Sequence, residues 1–410
     1  MNFFYIILRA GVRLCLQIYF KNVKCEELPS KSSGQARLLA VNHPSSFLDA
    51  CLLACWLDGP LYFLVRGDVF HPSLRWFFRL TYQIPIYRFR DGFKNLRSNE
   101  SSFRKCHETL AQGGSIVIFS EGLTEYEKRL RPIQRGTARL AFGTLEDFPQ
   151  TDLIIQPVGI NYENTFLFRS SVDIQMGNPL IVKPYLDRSD GIKALTQDIT
   201  FALRQVVIHI EKRERELIFE CMAYQAGLFN GENGPSFRTQ LNLADKVNSL
   251  SEEEAESILR EISIIPFDLL LRYPLKGRKP PDFLKLKYFL LQSVYGVMYL
   301  LYYGPALLAR QLSKYVMNHP SFRPAVTLGI AFFLYIIQAI AIFFILYGFV
   351  SLGAALGIVI LWSALGLYYP GVWDLKQKYR MFSLWRKQKK DQRVQKAASR
   401  IYRMSKKLTE

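Results

Sequence analysis

The sequence VNHPSSFLD at residues 41–49 decides how the rest of the chain is interpreted. The apolar residues 38–41 are typical of a buried strand, and residues 50–56 are typical of the start of a helix. The proline and two serines between them favour a turn, which would place His43 at the end of the strand. An imidazole in that position, followed by the carboxylate of Asp49, is the minimum set of groups for general-base catalysis.

Three further sequence blocks follow His43 and Asp49 along the chain. They read PIYR at residues 85–88, FSEG at residues 119–122 and QPVGI at residues 156–160. Together, the four blocks resemble the phospholipid/glycerol acyltransferases, the membrane enzymes that acylate glycerol phosphate and lysophosphatidate. The resemblance covers roughly residues 38–180, under half of the chain. It implies that His43 and Asp49 are the catalytic residues.

The blocks depart from the common family pattern in two of these places. Five residues separate His43 from Asp49 where the family commonly has four, and Ser120 stands where a proline is common. Leucine and threonine then occupy positions 123–124, where Thr-Arg would be usual. Both differences are similar to a subgroup with the longer spacing, which includes fungal glycerol-3-phosphate acyltransferases and related bacterial proteins. The sequence PIQRG at residues 132–136 resembles a basic segment of that subgroup.

The same blocks supply the residues that we expect to bind substrate. Arg88 lies on a predicted strand, where its guanidinium could hold a phosphate through two hydrogen bonds. Glu121 and Gly122 follow an apolar strand, and ligands gather at the carboxyl ends of such strands. Arg135 begins a predicted helix, whose free amides favour a phosphate. The alternative is a solvated surface, which we expect for the other charged residues of the run at 128–139.

Composition limits the classes of function. The 410-residue chain has a formal net charge of +18, which implies an anionic partner such as nucleic acid, anionic lipid or a phosphorylated substrate. Its 49% hydrophobic and 14% aromatic content argues against a disordered basic arm. The six cysteines include no Cys-x-x-Cys pair, which argues against a zinc site or a disulfide framework and favours a reducing cytosolic location. We expect no metal and no cofactor.

The order of strands and helices predicts the domain organisation. Residues 29–215 alternate between the two and predict an α/β fold, with a mixed sheet flanked by helices as in glycerolipid acyltransferases. Residues 216–283 are predicted to be a helical connector. Residues 1–28 contain a predicted interfacial helix with its apolar face in lipid and Arg9 and Arg13 toward the headgroups. A plain amphipathic helix in the protein core is the alternative.

A membrane-embedded region is predicted at residues 284–374. No charged residue occurs between Arg323 and Asp374. This stretch is long enough for two transmembrane helices, which we expect at about residues 325–347 and 352–370.

The sidedness of the membrane region follows from the charges beside it. The densely basic tail, residues 375–410, favours the cytosolic side, which would be the inner face of the cytoplasmic membrane in a bacterium. The acyltransferase domain would also be cytosolic if it uses thioesters of coenzyme A or acyl carrier protein. An even number of passes is therefore expected. The uncharged run at residues 288–309 is either a third pass or, as this count favours, an interfacial hairpin.

The resemblance implies an O-acyltransferase of phospholipid biosynthesis. In that mechanism, His43 takes a proton from the acceptor hydroxyl and Asp49 holds the other imidazole nitrogen. Arg88 and Arg135 would hold the acceptor phosphate. The acceptor stays open between glycerol 3-phosphate and 1-acylglycerol 3-phosphate, and the donor between coenzyme A and carrier-protein thioesters. The alternative from another class is a non-catalytic, membrane-anchored protein that binds anionic lipid. Nucleic acid is disfavoured, because the densest basic run directly follows the predicted membrane spans.

Overall fold

The chain contains two compact units. The computed structural model describes residues 2–67, 73, 75–86, 93–227, 236–265, 282–316, 322–388 and 391–409. The first unit comprises Met1–Leu16, Val23–Tyr162 and Val172–His209. The second unit comprises Gln17–Asn22, Glu163–Ser171 and Ile210–Glu410.

One mixed sheet forms the centre of the first unit. Its strands are β1 (Asn22–Cys25), β2 (Ala36–Val41), β3 (Leu61–Arg66), β4 (Gln83–Ile86), β5 (Ser115–Phe119), β6 (Leu153–Tyr162), β7 (Ser171–Met176) and β8 (Leu180–Ile181). They lie in the order β1-β7-β6-β2-β5-β3-β4, with β8 paired to β6. The strands from β6 to β4 in this order are parallel, whereas β7 and β8 run antiparallel to β6. The predicted α/β fold with a mixed sheet is confirmed.

Helices alternate with these strands and then make up most of the second unit. In chain order they are α1 (Phe3–Tyr19), α2 (Phe47–Trp56), α3 (Arg75–Leu80), α4 (Phe93–Ala111), α5 (Gly136–Asp147), α6 (Gly191–Arg204), α7 (Glu216–Gln225), α8 (Phe237–Asn248), α9 (Glu252–Ile264), α10 (Asp282–Val316), α11 (Arg323–Tyr347), α12 (Leu352–Gly366), α13 (Tyr369–Gln388) and α14 (Gln392–Thr409). The main core lies between the sheet and helices α4, α5 and α6, where Leu38, Leu140, Ile155 and Leu195 are buried together.

Strand β2 is the central strand of the parallel part. All six of its residues are buried, and it pairs with β5 on one side and β6 on the other. A strand covered on both faces needs a continuous apolar sequence, which explains the run that precedes His43. Val41 is level with Phe119 of β5 and Val158 of β6. Because the three strands are parallel, the segments that follow them start from one edge of the sheet.

Helix α1 turns its arginines toward the protein and leaves apolar side chains exposed. Arg9 donates a hydrogen bond to the carbonyl oxygen of Leu57 at 2.9 Å. The guanidinium carbon of Arg13 lies 5.2 Å from the centre of the Trp56 ring. Both arginines thus have partners at the end of α2, and their orientation toward headgroups stays a prediction. On another part of the helix, Phe3 is 77% exposed, and such a surface can still meet lipid.

Two apolar helical stretches of the second unit are long enough to cross a membrane. They are Arg323–Tyr347 and Leu352–Gln377, in agreement with the two predicted transmembrane helices. Their large apolar side chains are widely exposed, with Phe344 and Ile360 each 66% exposed. Exposed apolar surface of this extent indicates a membrane protein, because lipid accommodates it and water does not. Residues 288–309 lie within the continuous helix α10, so the interfacial hairpin expected there is wrong.

A proline inside α10 leaves one backbone carbonyl without its helical donor, and the next helix supplies a replacement. Pro305 has no N–H, so it cannot donate to the carbonyl four residues earlier, that of Leu301. The side chain of Gln338 in α11 donates to this oxygen at 2.9 Å. The hydroxyl of Tyr335 donates to the neighbouring carbonyl of Tyr302 at 2.5 Å. The polar side chains of α11 thus satisfy backbone groups that would be costly to leave unpaired in lipid.

The basic tail forms a helix that packs on the segment before the apolar stretches. Val394, Ala398 and Ile401 recur at helical spacing and are buried, and α14 contacts α7, α8 and α9. The basic side chains lie on the exposed side of α14, where Arg400 pairs with Glu261 of α9. Helices from before and after the two apolar stretches therefore form one bundle.

Candidate active site

His43 and Asp49 meet at the carboxyl end of β2. His43 lies two residues beyond the strand, and Asp49 lies in the first turn of α2. The Nδ1 atom of His43 is 2.8 Å from the Oδ2 atom of Asp49. Between them, Ser46 has a φ of +52°, a left-handed conformation that is uncommon for residues other than glycine. This turn brings the side chains of His43 and Asp49 within hydrogen-bonding distance, although five residues separate them in the sequence.

The carboxylate of Asp49 is completely buried and has three hydrogen-bond donors. Its Oδ2 atom accepts from the ring of His43 and from the backbone N–H of Ser45, each at 2.8 Å. Its Oδ1 atom accepts from the hydroxyl of Tyr162 at 2.6 Å. Because an ionised carboxylate can only accept, the proton of the His43–Asp49 hydrogen bond belongs to Nδ1 of His43. The Nε2 atom is then left with a lone pair and can act as a base.

Packing also fixes the imidazole ring. The ring stacks on Phe119, the last residue of β5, with 3.8 Å between the ring centroids and 14° between the planes. The side chain of the preceding residue, Asn42, accepts from the N–H of Ile160 at 2.8 Å and donates to its carbonyl at 3.0 Å. This pair of bonds joins the end of β2 to β6. The side chain of His43 is 17% exposed, so a substrate can reach a ring whose position is set.

The block FSEG follows β5 at the same edge of the sheet. The N–H of Ser120 donates to the carbonyl of Val41 at 2.9 Å. Its hydroxyl lies 2.9 Å from that of Thr137 in α5. Side-chain hydrogen bonding thus connects this turn to α5 at the position where the family commonly has proline. Gly122 has a φ of +73°, which glycine adopts without strain, and the absence of a side chain leaves its backbone accessible.

Glu121 is a buried carboxyl group with an altered affinity for protons. Burial raises its pKa to about 7, and the nearby charge of Asp49 adds to this rise. The guanidinium of Arg131, whose Nε atom is 3.4 Å from Glu121, acts in the opposite direction. Arg131 is itself held by Glu125 at 3.2 Å and by the carbonyl of Leu123 at 3.0 Å. Near neutral pH, Glu121 is therefore partly protonated and can donate a hydrogen bond as well as accept one.

The other residues predicted to hold ligands are placed only in part. Arg135 directly precedes α5 and its side chain is exposed, so an anionic ligand could reach it beside the first amides of that helix. Arg88 lies outside the described residues. The binding roles of Arg88, Glu121, Gly122 and Arg135 stay predictions. Within the described ranges, no three His, Cys, Asp or Glu side chains are placed to hold a metal ion.

Sequence reasoning misses three residues of this region: Tyr162, Lys128 and Arg131. Lys128 is buried, and its Nζ atom donates to the carbonyl of Tyr162 at 2.7 Å. The sequence predicts a strand that ends at residue 161 and a solvated surface for Lys128 and Arg131. One signal for Tyr162 exists: it continues an apolar strand parallel to β2 and therefore reaches the same edge of the sheet as His43.

Comparison with known proteins identifies one matching family. Residues 22–161 match the family model described as Acyltransferase. Glycerol-3-phosphate O-acyltransferase 1 of Saccharomyces cerevisiae is 26% identical over 126 residues, which cover 29% of this chain and 17% of the relative. Glycerol-3-phosphate O-acyltransferase 2 of the same yeast is 30% identical over 84 residues, covering 20% of this chain and 11% of the relative. The chain thus spans less than a fifth of the length of these curated relatives.

A solved structure also matches. The crystal structure of the 1-acyl-sn-glycerophosphate (LPA) acyltransferase PlsC from Thermotoga maritima has a TM-score of 0.35 and 13% sequence identity. The alignment covers 49% of this chain and 79% of that chain.

Replacing Glu121 by glutamine is expected to stabilise the protein progressively as the pH rises. The pKa of Glu121 in the folded protein, about 7, lies above its ordinary value of about 4.5. The stability that its protonated form contributes is therefore fully present below about pH 4.5 and is lost as the pH rises through about 7. The free energy of unfolding decreases by about 3 kcal/mol at most. Because glutamine does not ionise, the melting temperature of the variant relative to wild type should increase between about pH 5 and pH 8. Differential scanning fluorimetry in detergent would measure it.

The matched control for this measurement is Glu125→Gln. It removes the same charge from an exposed partner of Arg131. Its melting temperature relative to wild type should change less across this pH range than that of Glu121→Gln. A constant difference for Glu121→Gln would contradict the raised pKa.

Proposed function

We propose that this chain transfers a fatty acyl group from a thioester donor to a hydroxyl of a glycerol phosphate acceptor, and the match of residues 22–161 to the Acyltransferase family model supports this. The single observation that carries the proposal is the 2.8 Å hydrogen bond from Nδ1 of His43 to Asp49, which leaves Nε2 as a base at the edge of the sheet. Both yeast relatives are glycerol-3-phosphate O-acyltransferases, which supports glycerol 3-phosphate as the acceptor to test first. The acylated acceptor 1-acylglycerol 3-phosphate is the second candidate.

The proposed reaction needs two proton transfers, one to His43 and one from it. Nε2 of His43 takes the proton of the acceptor hydroxyl, and the oxygen attacks the thioester carbonyl. The new carbon–oxygen bond forms, the carbon–sulfur bond breaks, and the imidazolium returns its proton to the leaving thiolate. Asp49 stabilises the imidazolium while it exists, in the way that the buried aspartate of a serine-hydrolase triad does. Backbone amides near the His43 turn would stabilise the oxyanion.

The acceptor would be held by the groups around Glu121. A partly protonated Glu121 can exchange hydrogen bonds with the glycerol hydroxyls, and the left-handed backbone at Gly122 turns the chain beside it. Arg135, exposed at the start of α5, would bind the phosphate. Such binding aligns the reacting hydroxyl with Nε2 and lowers the entropic part of the barrier.

The proposed membrane topology has an even number of passes. Helix α9 precedes the two apolar stretches and α14 follows them, yet the two helices pack together. Chain segments in contact must lie on the same side of a membrane, which supports two crossings between them. The excess of basic residues in α14 favours the cytosolic side, where the thioester donors are also made available.

His43→Ala is expected to lower the rate of acyl transfer by about 10²- to 10⁴-fold, because the base is lost. The assay would use the purified protein in detergent, glycerol 3-phosphate or 1-acylglycerol 3-phosphate, and a thioester of coenzyme A or of acyl carrier protein. His107→Ala is the matched control, since His107 forms a similar pair with Asp147, 2.6 Å away, between α4 and α5. That variant should keep its activity.

The same pair of variants separates the proposal from the lipid-binding alternative. Both should bind anionic vesicles as wild type does, because neither removes surface charge. Equal activity in both variants, or no transfer by folded wild type with any donor and acceptor, would remove the support for catalysis by His43.

Tyr162→Phe is expected to lower kcat by about three- to tenfold with little change in KM. The variant keeps the ring but removes one of three donors to a buried carboxylate, a loss of about 1 kcal/mol. Tyr19→Phe is the control. The hydroxyl of Tyr19 donates at 2.7 Å to the carbonyl of Thr165 and not to Asp49. An equal decrease of kcat in both variants would show a general effect of losing a phenol.

Single cysteines would test the membrane topology. In a background without the native cysteines, Glu253→Cys on α9 and Ser399→Cys on α14 are both exposed positions. A maleimide that cannot cross the membrane should label both from the same side of oriented vesicles. Labelling from opposite sides would contradict an even number of passes.

A further inference from the structure

A basic cavity lies beside the edge strand β4, apart from the residues already discussed. Its volume is about 530 Å³, and α3, α4 and the strands β3 and β4 contribute its walls. Its charged lining residues are Arg75, Arg79 and Lys105, and no aspartate or glutamate is among the described residues that line it. This volume is in the range of sites that hold a small organic molecule and is larger than a single phosphate needs.

The charges and hydroxyls of the cavity are those of an anion site. Arg75 and Arg79 are one helical turn apart on α3, so their side chains share one side of that helix. Lys105 reaches the cavity from α4. Tyr62, whose side chain carries a hydroxyl, also lines the cavity. Several cations without a nearby carboxylate in the lining favour a ligand with more than one negative charge, such as a phosphorylated molecule.

The sheet register places this cavity relative to His43. Pro85 in its wall is level with Val65 of β3. Two residues earlier in β3, Phe63 pairs with Val117 of β5, which pairs with Leu39 of β2, so continuing this register brings Pro85 to the level of Val41. Strand β4 is three positions from β2 in the sheet, so the two strands are roughly 14 Å apart at the usual spacing. The cavity and His43 thus belong to one end of the sheet but are separated across it.

This separation decides which substrate the cavity can hold. In glycerol 3-phosphate, only a few bonds lie between the phosphate and the hydroxyls. Such an acceptor could not have its phosphate in the cavity and its hydroxyl at His43. The thioester of coenzyme A is different, because a long flexible arm separates its sulfur from its phosphorylated nucleotide. We propose that the cavity beside β4 binds the phosphorylated nucleotide of a coenzyme A thioester while its arm reaches His43. This inference rests on the proposed acyl transfer.

Binding of unacylated coenzyme A provides the test. Isothermal titration calorimetry would use the full chain in detergent with the His43→Ala substitution, so that no turnover contributes. Lys105→Glu should raise the Kd for coenzyme A by about tenfold or more, because a charge-assisted contact becomes repulsive. Arg104→Glu is the matched control: it makes the same charge change on the adjacent, exposed residue of α4, which does not line the cavity. Its Kd should stay within about threefold of the parent.

Two further ligands identify the part of the molecule that is bound. Substitution of Lys105 or Arg79 should raise the Kd for 3′-dephospho-coenzyme A by a smaller factor than the Kd for coenzyme A. The reason is that 3′-dephospho-coenzyme A has one phosphate fewer. The Kd for glycerol 3-phosphate should be unaffected by Lys105→Glu. If glycerol 3-phosphate loses affinity and coenzyme A does not, the cavity belongs to the acceptor and the inference is wrong.

The remaining outcomes are also decisive. If Lys105→Glu and Arg104→Glu weaken the binding of coenzyme A equally, the effect is only long-range repulsion and the inference is wrong. If coenzyme A does not bind at all, it is excluded as the occupant and the inference is also wrong. Lys105→Met replaces Lys105→Glu if the latter melts at a lower temperature than the parent. Cavity-dependent binding without acyl transfer by wild type would retain the site and reject the proposed function.

Discussion

One buried charge organises the candidate active site. The carboxylate of Asp49 has no exposed surface, and an unpaired charge in such a place costs several kcal/mol. Its three donors come from the ring of His43, the backbone of Ser45 and the phenol of Tyr162. These groups must be placed together before the carboxylate is stable, so β2, α2 and β6 are held in one arrangement. Burial raises the pKa of the neighbouring Glu121, and the charge of Asp49 adds to this rise.

The sequence predicts those parts of the site that a local pattern encodes. His43 and Glu121 each follow a short apolar run directly, so the ends of both strands can be located without a structure. Tyr162 cannot be assigned this way, because its contact with Asp49 depends on a register between segments 113 residues apart. The cavity beside β4 depends on how α3 and α4 pack against an edge strand. Neither composition nor periodicity carries that information.

Amphipathic patterns specify which residues share a helix face but not what the face contacts. The spacing of Arg9 and Arg13 places them together, but it does not show that both contact the end of α2. In the tail, the high density of positive charge obscures the spacing of Val394 and Ile401, which are buried against α7, α8 and α9. A basic tail can therefore be an integral part of a bundle, with its charge confined to the other face.

The central position of β2 has a consequence for synthesis of the chain. Its neighbours in the sheet come from much later in the sequence, and Asn42 is 118 residues from the partner that fixes the strand end. The emerging N-terminal part must therefore wait, with an apolar strand unpaired, until β6 has left the ribosome. Only afterwards do the apolar helices α11 and α12 emerge. The order of elements thus allows the first unit to fold before the long apolar helices emerge, so that folding and membrane insertion need not compete for the same apolar segments.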